Sequence, residues 1–187
     1  MDKELKINAE SALLAYNNTD ANGRKLLEHL FGKELFAQDI KDKVKTFEDA
    51  VAILGNDNQA VIDYYAIADK TCTEDILAFA KLRVIAEALN EVWKPKFDGD
   101  ECRYYPWFYI YTKEEYEELD EEVKAHGVPL RSSYNAGAND GLVFTYANYA
   151  GSNSSTIIGV RLSFKTRELA EYCSKQFIDI WADFLFG

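Results

Sequence analysis

The chain has 187 residues, of which 48% are hydrophobic and 14% aromatic, so there is ample material for a packed core and disorder is not expected. Its 21 basic and 32 acidic side chains give a formal net charge of −11, which argues against binding to a phosphate backbone or an anionic membrane surface. The excess is uneven: residues 151–187 carry four charges of each sign and are neutral.

The N-terminal stretch MDKELKINAESALLAYNN shows no apolar h-region, and no run approaches the roughly 20 apolar residues of a membrane span, so a cytoplasmic protein is expected. Three widely spaced cysteines (Cys72, Cys102, Cys173) form no close pair and imply a reducing compartment rather than a disulfide framework.

Helical spacing dominates the first half. In TDANGRKLLEHLFG the apolar Leu26, Leu27, Leu30 and Phe31 share a stripe that Gly32 closes. TFEDAVAILG opens on a Thr46/Asp49 capping box and closes on Gly55. A short helix through QAVIDYYAIA follows. The longest is TEDILAFAKLRVIAEALNEVW, capped by Thr73, with Val92 on its apolar stripe and Pro95 as its stop.

KPKFDGDE (94–101) is the Pro/Gly/Asp-rich break between two well-patterned halves. It divides the chain into a helical region 1–97 and an α+β region 98–187, which can still pack as one unit.

Beyond it the period changes to two. CRYYPWFYIY reads as a strand, at an edge or bulged at Pro106, and TKEEYEELDEEVKAHG as a helix with a Thr112/Glu115 capping box. VPLRSSY, GLVFTYANY and TIIGVRLSF are further strands, and TRELAEYCSKQFIDIWADFL is a closing helix with Leu169, Cys173, Phe177, Ile180, Trp181 and Phe184 on one face. Asp140-Gly141 reads as a hairpin turn. The expected fold class is α+β: helices packed on an antiparallel sheet of about four strands, in the order β-α-β-β-β-α.

Alternation assigns Cys102, Tyr104, Pro106, Phe108 and Ile110 to one face of the first strand. Arg103, Tyr105, Trp107, Tyr109 and Tyr111 fall on the other. In the third strand Leu142, Phe144 and Tyr146 oppose Val143, Thr145 and Ala147. Arg161 falls on the mixed face of the last strand. That aromatic-plus-arginine face is either the covered side of the sheet or a recognition surface of Tyr105, Trp107, Tyr109 and Arg161, joined by Arg131, since Trp, Tyr and Arg dominate binding hot spots.

Catalytic and metal chemistries find little footing. His29 lies inside a helix and His126 beside a helix-ending glycine, and no CxxC or HExxH spacing exists. The segment from Asp98 to Glu101 fails as a calcium loop, because Arg103 and Tyr109 stand where Gly and Glu are required. The acidic run 114–122 reads as a solvated helix face or a dock for a basic partner, and the Asp179/Asp183 pair as an ordinary i, i+4 surface pair. No nucleophile–base pair presents itself; no catalytic residue, metal ligand or cofactor is expected, and the chain leans away from enzymes.

Taken together, NGRKLLEHLFGKELF, KVKTFEDAVAILG, KLRVIAEALNEVWKPKFDGDECRYYPWFYIYTKEE and RLSFKTRELAEYCSKQFIDIWADFLFG resemble a family of small, uncharacterised proteins of gut bacteria and their phages and prophages. The resemblance spans nearly the whole chain and brings no activity, cofactor or residue role with it. It implies a setting: a phage-associated protein inside a bacterial host cell or built into a particle. The expectation is therefore a non-enzymatic protein acting through contact with a protein partner, as an assembly component or a modulator of a host protein. The alternative is a small-molecule or carbohydrate-binding module using the same aromatic face.

Overall fold

The computed structural model describes residues 9–36, 39–70, 72–95, 101–130, 139–151 and 160–187. The chain divides into two compact units, Met1–Lys43 and Val44–Gly187, and the expected joint at 94–101 lies within the second.

The first unit holds helices α1 (Ala9–Asn17), α2 (Ala21–Phe31) and α3 (Ile40–Lys43), with a 3-10 turn at Lys33–Phe36. Asp20 caps α2 by accepting the Gly23 N–H at 2.8 Å, and Gly32 leaves the helix at φ +84°. The Tyr16 ring stacks on Phe36 at 4.4 Å, while its hydroxyl donates to Glu28 Oε1 at 2.6 Å. Among the described residues of this unit only Ala12 and Phe36 are buried apolar side chains, and the amphipathic stripe of α2 leaves Leu26 and Leu30 60% and 64% exposed.

The second unit starts with helices α4 (Phe47–Leu54), α5 (Gln59–Ala68) and α6 (Glu74–Leu89). The Thr46/Asp49 capping box forms in full, and Gly55 follows at φ +79°. Helix α6 is the spine. Ala80, Leu82, Val84, Ile85 and Leu89 are buried, and α4, α5 and helix α10 (Ile178–Phe186) pack around it. The expected closing helix is two, α9 (Arg167–Gln176) and α10, broken at Phe177 with φ −119°. Of its expected apolar face, Leu169, Cys173, Phe177 and Trp181 are buried and Ile180 and Phe184 half-buried.

The acidic helix is likewise two short ones, α7 (Lys113–Glu117) and α8 (Glu121–Lys124), because Asp120 takes an extended backbone and starts the second.

Among the described residues the sheet has three antiparallel strands, not four, in the order β1 (Cys102–Thr112), β3 (Asn139–Gly151), β2 (Gly127–Pro129). TIIGVRLSF contributes no strand there. Val160–Leu162 is a 3-10 turn, and Phe164 makes an isolated bridge to Tyr104; residues 156–159 of that segment lie outside the described residues. The bridge occupies the outer rim of β1, where Pro106, which has no N–H to offer, also turns its backbone outward. Asp140-Gly141 is not a turn but the start of β3, with Asp140 an extra residue at a register shift.

A bulge governs the faces. Trp107 pairs with Tyr146 but Phe108 pairs with Phe144, so Thr145 is an extra residue on β3. Beyond it β3 changes parity. Leu142 and Phe144 share the core face with Ala147 and Tyr149, while Val143 shares the other face with Tyr146 and Asn148. The expected grouping of Tyr146 with Leu142 and Phe144 is thereby corrected. The core face packs on α9 and α10, with Phe108 5.4 Å from the Trp181 ring.

Candidate functional site

Two sites emerge, one aromatic and one cationic. On the outer face of the sheet, Trp107 and Tyr146 stack with centroids 6.1 Å apart and planes 15° from parallel. Tyr109 and Tyr111 lie beside them, 5.0 Å apart. Trp107, Tyr109 and Tyr146 are 39%, 55% and 43% exposed, whereas Tyr105 is half-buried. Arg103, expected on this exposed face, is buried. Tyr116 of α7 covers the other end of the face: its ring lies against Gly141, where any side chain would collide with it. The exposed rings thus occupy the middle of the face, between Gly141 under Tyr116 at one end and buried Arg103 at the other. Tyr146 was missed by alternation alone because the bulge that carries it to this face has no marker in the sequence.

Arg161 does not join that platform. It sits on the Val160–Leu162 turn and lines a cleft of about 210 Å³ at the C-terminal end of α6, together with Arg83, Glu87, Asn90, Trp93 and Lys94. Arg131 lies outside the described residues.

The cleft is built by an unusual helix ending. The helix expected to run to Trp93 stops at Leu89, because buried Asn90 turns its side chain to a distant segment, donating to the Ser163 carbonyl and accepting the Lys165 N–H, both at 2.9 Å. Glu91 and Val92 then follow in the left-handed region, at φ +51° and +56°. The Glu91 N–H donates to the Ala88 carbonyl at 3.0 Å and the Val92 N–H to the Glu87 carbonyl at 3.1 Å, which is the Schellman pattern with glutamate where glycine is usual. A left-handed residue with a Cβ costs about 1–2 kcal/mol, and a β-branched valine is the least suited to it.

Charges in and behind the cleft are unequally satisfied. Arg83 pairs with Asp63 at 3.2 Å, and Glu87 Oε1 accepts from Asn58 at 2.9 Å. The Gln59 amide, followed by the Arg83 and Arg161 guanidinium groups, holds the Asp63 carboxyl below its usual range. The Trp93 indole N–H donates to Glu101 at 2.8 Å, fixing the ring. Among the described residues neither Arg161 nor Lys94 makes a hydrogen bond or ion pair.

Elsewhere, a second cavity of about 280 Å³ lies between Tyr116, Pro129 and Leu130. His29 is exposed on α2, and the His126 carbonyl accepts from Phe144. Burial pushes the Cys173 thiol up to about 12, against a smaller opposing pull from the Trp181 indole, so it is protonated at neutral pH. Among the described residues no three His, Cys, Asp or Glu side chains are grouped to hold a metal ion, and no helix is long and apolar enough to cross a membrane. No family model matches the chain, and no curated protein or solved structure matches it at a significant level.

Proposed function

We propose that this is a non-enzymatic binding protein that engages a protein partner through the exposed middle of its aromatic sheet face. Tyr105, Trp107, Tyr109 and Tyr146 are the anchors. The observation that supports this most is that Trp107, Tyr109 and Tyr146 remain exposed side by side on a hydrogen-bonded strand pair, although large aromatics gain most from burial. Aromatic side chains held in place bring large contact area at little entropic cost, which is what hot-spot residues do. The acidic helices α7 and α8 follow β1 directly, so the fitting partner has an apolar pocket with a basic rim, and its association rate falls as salt is raised. The resemblance drawn from the sequence sets this activity in a phage-infected or lysogenic bacterial cell, in the cytoplasm or in the phage particle. A carbohydrate or small-molecule module on the same face is less well supported, since the cavities described above are lined by other residues.

The test is capture from lysogenic or infected host lysate by wild type and by a Trp107→Ala/Tyr109→Ala variant whose fold is verified by circular dichroism. The expected result is a partner held by wild type and weakened about 30-fold or more in the variant, the effect of losing roughly 2 kcal/mol at a hot spot. Equal capture by both proteins, or no enrichment by wild type, would overturn the proposal.

A further inference from the structure

We propose that the cleft at the C-terminal end of α6 is a binding site for a small organic oxyanion, a phosphate ester or a carboxylate, gripped by Arg161 with Arg83 and Lys94. This site is separate from the aromatic platform and does not depend on it.

Three independent observations converge on it. The first is charge. The walls bring Arg83, Lys94 and Arg161 together with one lining carboxylate, Glu87, while Asp63 behind them offsets a second positive charge and leaves one in excess, in a chain whose net charge is −11. Asp63 takes up Arg83 at one N–H, leaving further donors on that guanidinium; it also attracts Arg161, whose N–H groups make no hydrogen bond among the described residues and can meet an incoming oxyanion. The second is size. About 210 Å³ lies below the roughly 300–1,000 Å³ of sites for drug-sized molecules, so the ligand is small.

The third is the rim itself. Two successive left-handed residues with side chains, Glu91 and Val92, are held by the Schellman bonds and by Asn90 beneath. Asn90 ties the end of α6 to Ser163 and Lys165, so the segment carrying Arg161 is fixed against the helix that carries Arg83 before any ligand arrives. Backbone held in such a conformation points to a function of the place where it occurs. Glu87 has one oxygen engaged by Asn58 and offers the other to a hydroxyl or amine on the ligand, while Trp93, anchored through Glu101, supplies an apolar wall.

Arg161 is the residue to change, because it makes no hydrogen bond or ion pair within the described residues, and the fold of the variant is verified by circular dichroism. The experiment is a titration of the whole chain, labelled with nitrogen-15, with inorganic phosphate and separately with succinate at low ionic strength. The Trp93 indole and Asn90 side-chain amide resonances are followed. The expected result is saturable shifts at both groups with at least one of the anions, and the anion that saturates at lower concentration identifies the head group. Arg161→Ala weakens that binding about tenfold or more. Arg161→Lys falls between, and Trp107→Ala and Lys70→Ala, the latter at an exposed lysine that does not line the cleft, titrate as wild type. The proposal is overturned if neither anion gives a saturable response, if Arg161→Ala titrates as wild type, or if Lys70→Ala weakens binding as much as Arg161→Ala does.

Discussion

Glu91 shows how little a single residue type can reveal about its backbone. Nothing in ALNEVW marks a helix end, and the apolar stripe reads on to Val92; the stop comes instead from Asn90, whose partners lie 73 and 75 residues away. Side-chain choices of that range have no local signature. The consequence is measurable. Glu91→Gly relieves a left-handed residue and loses an exposed ion pair with Lys165, which is worth at most about 1 kcal/mol. The variant should therefore be stabilised by roughly 1 kcal/mol, raising Tm by about 2–4 °C in a thermal melt. A lower Tm would mean that the ion pair outweighs the strain.

At the scale of elements, local signals read well where they are self-contained. The Thr46/Asp49 and Thr112/Glu115 capping boxes form as their spacing requires, and Gly32 and Gly55 end their helices at positive φ. The face of β1 toward the core was legible from alternation. The far half of β3 was not, because the extra residue at Thr145 exchanges its faces without any glycine or proline to announce it. The candidate anchors Trp107 and Tyr109 could thus be named from the sequence, while Tyr146 could not. Arg161 was named for a strand position it does not occupy.

Where β3 begins, Gly141 lets the Tyr116 ring approach the backbone closely, in space that a Cβ would fill. Gly141→Ala should displace that ring and cost roughly 1–3 kcal/mol of stability, read as a lower midpoint in urea unfolding. An unchanged midpoint would show that α7 is free to give way.

For the molecule as a whole, the two units differ in what holds them. Residues 44–187 enclose Trp181, Phe164, Leu82, Ile85 and Leu89 with almost no exposed area, and α9 reaches back to their first residues, with the Tyr172 hydroxyl donating to the Val44 carbonyl at 2.7 Å. Among its described residues the first unit has few buried side chains, and its length is near the limit of roughly 40 residues below which domains need a staple. A fragment of residues 44–187 should unfold cooperatively by circular dichroism, and a peptide of residues 1–43 should melt without a sigmoidal transition; a cooperative transition in the peptide would refute this.

Exposing so aromatic a strand also bears on how copies of the molecule meet. Among the described residues β1 is an edge strand of high strand propensity, the kind of template from which cross-β stacking grows. Yet its outer rim begins with Tyr104 already bonded to Phe164, continues through a proline without a hydrogen to give, and ends at Thr112, whose N–H is held by Glu115. Between those stops only Phe108 and Ile110 turn donors outward, too short a run for a foreign strand to zip along. The rings can stay in water ready for a partner while the backbone beneath them declines to polymerise.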